Sequence, residues 1–474
     1  MHVRSVFAPR DAARAASVVV FYLLCGCGAP QRGGEIANPI FFPAAPEQPR
    51  LQFLKSFSGP ADLGASGPGG FERFVLGQAE QQEGITTPYG LAIHDGKIYV
   101  CDVGTRRVKI LDLRNRTFSY LTEDRRLVNP VNIFIDDDGT KYVADPTAGA
   151  VFVFDASDTL AAILGKELQI SPLDVVVRGP NCYVTDYRSN QVVVLDKATG
   201  REISRIGQAG TADDQFQLIS DLTFGPKGHL YVTDKLKAKV FEFDPSGKLV
   251  RTLGRLGDNI DEFVRPKGIA VDKAGRIWVV DAGVSITGSI WSTEVAKIYD
   301  QQGRLLLFFG GPGNLPGMMN LPATIVLDYD NIDLFEPYAV RGARLEFLVL
   351  VTNQYGPNKI SVYGFGQFPD VSTTAASTPM AAVKEARETR TPPVTPEPRP
   401  QTDSARQQQR AEEIARLYYQ SMTFYRAGHL EEARAGFVEV LESGLIPPPM
   451  EETLKRYLQD IDQRLKSGRG AERR

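Results

Sequence analysis

The sequence predicts a mainly β protein: a six-bladed β-propeller, then a flexible linker and a small α-helical module. Three observations carry this. A unit of three apolar strands recurs six times between residues 50 and 366, and its second strand ends on an acidic or amide residue at 102, 145, 186, 234, 281 and 353. The 44 glycines and 31 prolines supply the turns that many short strands need. Beyond residue 403 the apolar period changes from that of a strand to that of a helix. A three- or four-stranded unit cannot bury both of its faces alone, but six arranged radially can.

Composition narrows the function classes. The 54 Lys+Arg nearly balance 57 Asp+Glu, a net charge of −3, so a globally basic nucleic-acid binder is excluded. Apolar residues make up 42 %, enough for a core and too few for a polytopic membrane protein. Four cysteines do not build a disulfide scaffold. The histidines are scattered at 2, 94, 229 and 429, which argues against a histidine-rich metal site. No cofactor and no metal are expected.

Residues 1–27 read as a signal peptide. Arg4, Arg10 and Arg14 precede the apolar run Ala15–Leu24, too short to cross a bilayer core of about 30 Å. The run ends in Leu24-Cys25-Gly26-Cys27, which resembles the bacterial lipobox. The resemblance implies cleavage after Gly26 and lipid attachment to Cys27. Gly28 in the next position then implies an outer-membrane lipoprotein facing the periplasm or the cell surface. Acyl chains contribute about 0.8 kcal/mol per buried CH₂, so several of them would hold a folded domain on a membrane. Residues 28–49, with Phe41 and Phe42, read as an extended tether.

The ring spans residues 50–366. Its second strands are expected at Ile98–Asp102, Lys141–Asp145, Cys182–Asp186, Leu230–Asp234, Ile277–Asp281 and Phe347–Asn353. First strands start at Pro88, Pro130, Pro172, Pro266 and Pro322, with Ser220-Asp221 standing in for the proline in unit four. Turns such as Asp95-Gly96 and Asp138-Gly139 join first to second strands. Unit six has three clear strands, and Leu51–Phe57 is an orphan before unit one. It is expected to close the sixth blade as its outer strand, which removes the open seam. The phrases Pro266-Lys267-Gly268-Ile269-Ala270-Val271-Asp272 and Leu230-Tyr231-Val232-Thr233-Asp234 resemble the NHL repeat, and the resemblance recurs six times in order.

Surface loops carry the candidate contacts. Ala282–Glu294 holds Ile286, Ile290 and Trp291, and Gly310–Asn320 adds Met318 and Met319 on the same face. Arg106, Arg188 and Lys237, on loops after second strands, offer a basic rim to an envelope protein or an anionic polysaccharide. The repeated Asp102, Asp145, Asp186, Asp234 and Asp281 read as loop anchors rather than a catalytic ring. Two enzyme classes resemble such a ring. NHL-type amidating lyases need a histidine-bound zinc, and the ring holds only His94 and His229. Gluconolactonase-like propellers use an axial cation, for which Asp221 and Asn132 are candidates.

Residues 367–403 form a Pro/Thr-rich linker with no apolar period. Residues 404–467 read as helices, before a basic tail at 468–474. Leu417, Phe424, Gly428, Ala433 and Phe437 resemble one tetratricopeptide hairpin. Such a small core can dock on this chain, self-associate or bind a partner helix. The expected function is a lipid-anchored, non-enzymatic binding scaffold at the cell envelope. The alternative is a metal-dependent lyase or lactonase using the axial channel.

Overall fold

The protein is seen as a computed structural model. It describes residues 39–44, 47–64, 84–122, 126–257, 259–283, 294–369, 429–446 and 448–471, with positions 410, 414, 417, 418, 421, 424 and 425. Cys27, Ile286, Ile290, Trp291 and the linker residues 370–409 lie outside this set.

Alternating apolar residues and tight Gly turns fold residues 88–310 into five antiparallel four-stranded meanders. Blade one, for instance, runs Pro88–His94, Lys97–Asp102, Arg107–Asp112 and Thr117–Tyr120. Middle strands are covered on both faces: Lys141–Asp145 and Ile277–Asp281 are buried at every position. Outer strands such as Glu202–Ile206 are mostly exposed. Six buried clusters among the described residues lie one between each neighbouring pair of blades. The largest buried side chain, Trp278, packs edge-on against Phe309, Phe347 and Phe365 between blades five and six.

Leu51–Phe57 closes the ring as expected. It pairs antiparallel with Ile360–Gln367, Leu51 opposite Phe365 and Phe57 opposite Ile360. The sixth blade also has a fifth strand. Ile40–Phe42, expected within an extended tether, pairs outside Leu51–Phe57, with Phe42 against Phe309 and Tyr363.

The repeated aspartates are loop anchors. Asp234 is fully buried and accepts the backbone N–H groups of Gln217, Leu218, Leu236 and Lys237. It thus binds the loop entering its blade and the loop leaving its second strand. Asp145 does the same with Val128, Asn129, Thr147 and Ala148. Asp102 and Asp281 add a buried lysine each, Lys109 at 2.7 Å and Lys297 at 2.8 Å. Asn353 holds the same place in blade six, taking Asn320 N–H and giving its amide to Asn358 O.

The helical module contains α1 (Leu430–Glu442) and α2 (Pro448–Ala471), with further helical positions between 410 and 425. Gly436 lets the chain carrying Ser421 approach closely: a Cβ there would lie 2.0 Å from Ser421 Oγ. Phe437 stacks on Tyr457 at 5.7 Å. Ile414, Tyr418, Phe437, Val440, Leu454 and Ile461 share one buried cluster with Ile260, Val295 and Phe308 around blade five. The helices therefore pack on the ring, one of the three outcomes their small core allowed.

Candidate functional site

The first strands line the axis and touch one another in cyclic order. The residue two positions after the starting proline, or its equivalent, recurs as Gly90, Asn132, Asp174, Asp221, Gly268 and Thr324. The two glycines have no room for a side chain: a Cβ on Gly90 would lie 1.9 Å from Asn132 Oδ1, and one on Gly268 2.6 Å from Thr324 Cα. The other four side chains are buried. Asp174 accepts N–H bonds from Val175 at 2.8 Å and, from the next blade, Leu222 at 2.9 Å. Asp221 accepts the Thr324 hydroxyl at 3.1 Å, reaching past blade five because Gly268 presents nothing there.

Asp174 and Asp221 are hydrogen-bonded to each other. Burial pushes both carboxyl groups above the usual aspartate range, and the charge of Asp174 pushes Asp221 further. Asp174, with two N–H donors, suits the ionised partner, and Asp221 carries the shared proton. Second-strand hydroxyls tie two blades to the first strand of the next: Thr233 donates to Lys267 O and Thr352 to Tyr89 O, each at 2.6 Å. Sequence reading found Asn132 and Asp221 but missed Asp174 and Thr324. Their common offset from Pro172 and Pro322 was the signal that would have found them.

Asp221→Asn keeps an acceptor for Thr324 and a donor for Asp174, but has no proton to lose. Raised pKa values mean that the folded state holds protons the unfolded chain releases, so that stabilisation is full below the ordinary aspartate pKa and is lost as pH rises through the folded value. Thermal unfolding of the wild type should therefore weaken relative to Asp221→Asn between pH 4 and 8. A constant difference across that range would show that the pair does not share a proton.

The mouth of the axis, on the face of the loops after the second strands, is basic. Lys235 of blade four donates to Tyr89 OH of blade one at 3.0 Å, spanning the ring between opposite blades. Lys267 is 4 % exposed and donates to Gln354 Oε1 at 3.3 Å. Burial, with the charges of Lys235 and Arg265, lowers its pKa to about 7.

The expected contact residues fare differently. Arg106 and Arg188 are exposed, and Arg106 lines a cavity of about 220 Å³ with Thr105, Arg107 and Leu127. Lys237 binds the carbonyls of Thr211 and Ala212 at 2.6 Å. Met318 is half-buried. Met319 needs correction: it is fully buried core, because its loop folds back through a Pro312–Met319 bridge and seats the side chain under Gly310. Phe216 and Phe263 fill the matching places in two other loops. His94 and His229 are not brought together; His229 binds Glu242 at 2.7 Å, beside Tyr231 and Arg251. Cys101 and Cys182 are buried free thiols. Among the described residues, no group of three or more His, Cys, Asp or Glu side chains is placed to hold a metal.

A family model described as a six-bladed β-propeller matches residues 211–286. A gluconolactonase of Xanthomonas campestris is 14 % identical over 70 % of this chain and 98 % of its own, with a TM-score of 0.44. A virginiamycin B lyase of Staphylococcus aureus is 14 % identical over 60 % of this chain and 86 % of its own, at 0.40. A protein of unknown function from Bacteroides thetaiotaomicron is 14 % identical over 59 % and 70 %, at 0.44. No curated protein sequence is significantly similar. The chain is a mainly β, six-bladed propeller with a small helical module.

Proposed function

We propose that this protein is an exported, lipid-anchored, non-enzymatic binding scaffold of the cell envelope, engaging an envelope protein or an anionic polysaccharide. The observation that best supports the reading is the filled axis. Asn132, Asp174, Asp221 and Thr324 are buried along it, each bonded to backbone N–H groups or to another first-strand side chain, so the centre of the ring serves cohesion. Recognition then falls to the rim loops, with Arg106, Arg188, Lys237, Met318 and the segment holding Ile286, Ile290 and Trp291, and to the tetratricopeptide-like helices. NHL character, the outer-membrane address and self-association through the helices belong to the same proposal.

Cys27→Ser should move the protein from the membrane to the soluble fraction, and Cys25→Ser should not. Equal membrane retention of both variants would overturn the anchor. On the same purified material, one equivalent of a divalent cation that is lost in Asp221→Asn would overturn the scaffold reading in favour of an axial lyase or lactonase.

A further inference from the structure

We propose that the mouth of the axis binds one compact oxyanion, a carboxylate or a sulfate- or phosphate-like group, between Lys235, Lys267 and Arg265, with Tyr89 OH and the Gln354 amide as neutral partners. This goes beyond the scaffold reading and needs neither the lipid anchor nor a macromolecular partner.

The argument starts from a contrast between buried lysines. Lys109 and Lys297 sit 2.7 and 2.8 Å from Asp102 and Asp281, and Lys141 sits 2.5 Å from Asp158. Lys267 is equally buried, yet among the described residues its ammonium has one neutral acceptor, Gln354 Oε1 at 3.3 Å, for three donors. Lys235 and Arg265 bring two more positive charges to bear on it. Among the described residues, none of these three side chains forms an ion pair of its own. Glu294 acts on Lys267 in the opposite sense. The segment 284–293 that precedes Glu294 contains no acidic residue. A buried cation beside two like charges is costly unless an anion joins it.

The geometry also limits the ligand. Lys235 and Tyr89 come from opposite blades and meet at 3.0 Å, so the mouth admits a single charged terminus. Below it, Asp221 and Asp174 close the axis, which keeps the anion at the surface end. Its oxygens would accept from Lys267, Lys235 and Arg265 together, the charge-assisted bonds that anion sites use.

Protonation gives the site a signature. Lys235, Arg265 and Glu294 face Lys267, and Lys359 stands behind Gln354, donating to its carbonyl. With its pKa near 7, Lys267 is charged at pH 6 and mostly neutral at pH 8. Anion binding should then take up a proton and weaken by about tenfold across that interval.

Calorimetric titration of the full chain with sulfate and with acetate, whose own charges are constant from pH 6 to 8, tests this. The expected result is one saturable site, about tenfold weaker at pH 8, lost in Lys267→Met and unchanged in Lys227→Met, an exposed lysine on a first-to-second-strand turn. Lys235→Met, exposed enough to be tolerated, should also weaken binding should Lys267→Met fail to fold. No saturable binding at pH 6, equal affinity at both pH values, or full affinity in either mouth variant would overturn the site. Membrane fractionation of the same variants is unaffected in every case, so failure here is distinct from failure of the anchored-scaffold reading.

Discussion

Removal of residues 39–58 is expected to abolish the cooperative unfolding of the ring, whereas removal of residues 370–474 should leave it in place at a lower melting temperature. Leu51–Phe57 supplies Leu51 to the cluster between blades five and six, and Leu54 and Phe57 to the one between blades six and one. Burying such side chains contributes about 1.5–3 kcal/mol each, and their sum approaches the whole stability of a typical domain. The deletion also bares the Ile360–Gln367 edge, which is otherwise paired along its length. Loss of the helices uncovers Ile260, Val295 and Phe308 but breaks no sheet. Scanning calorimetry separates the two. A C-terminal truncation that proved the more damaging would make the helices part of the ring's core.

Asp102→Ala should destabilise the protein by about 3–5 kcal/mol, because it strands a buried ammonium. Asp102 accepts the N–H groups of Thr86 and Thr87 at 2.8 Å and of Gly104 at 3.1 Å, and pairs with Lys109, which is fully buried. Burial pushes its carboxyl up, but Lys109 and the N–H donors outweigh that and hold it below the usual aspartate range. A lowered folded pKa gives stability that is present above the ordinary value and lost as pH falls through the folded one. The gap between wild type and Asp102→Ala, measured by denaturant unfolding, should therefore be full at neutral pH and shrink in acid. Asp102→Asn, which keeps one acceptor, should lie between them. A loss under 1 kcal/mol would show that the loops hold themselves without the aspartate.

Most of the ring was legible because its information is periodic. Strand ends at Asp102 through Asn353, the hairpin glycines and the orphan Leu51–Phe57 each follow from a repeated offset, and a repeat is visible without knowledge of contacts. Apart from the positions of Asp174 and Thr324, whose offset does repeat, what escaped has no period. Ile40–Phe42 is three residues long, too short for alternation to register, and pairs only because Leu51–Phe57 offers an edge. Asp174 and Asp221 lie 47 positions apart, so their pairing is a property of two docked blades. Met319 looked like a contact residue because its loop is irregular, yet the loop's own bridge turns the side chain inward. Lys267 sits in an ordinary repeat phrase, and what marks it out is burial without an ion pair among the described residues.

The closing strand also fixes the order in which the molecule can be completed. Ser56 and its partner Asn358 are 302 residues apart. At about 5–20 residues per second of translation, that separation is about 15–60 s during which Leu51–Phe57 has emerged with Ile40–Phe42 on one edge and nothing yet made for the other. Five blades can assemble in that interval, each from neighbouring chain, but the circle has to wait for Ile360–Gln367. The ring is thus locked by its oldest and nearly its youngest segments, and a chain truncated anywhere before residue 360 is left with an open circle and a sticky edge for quality control to find.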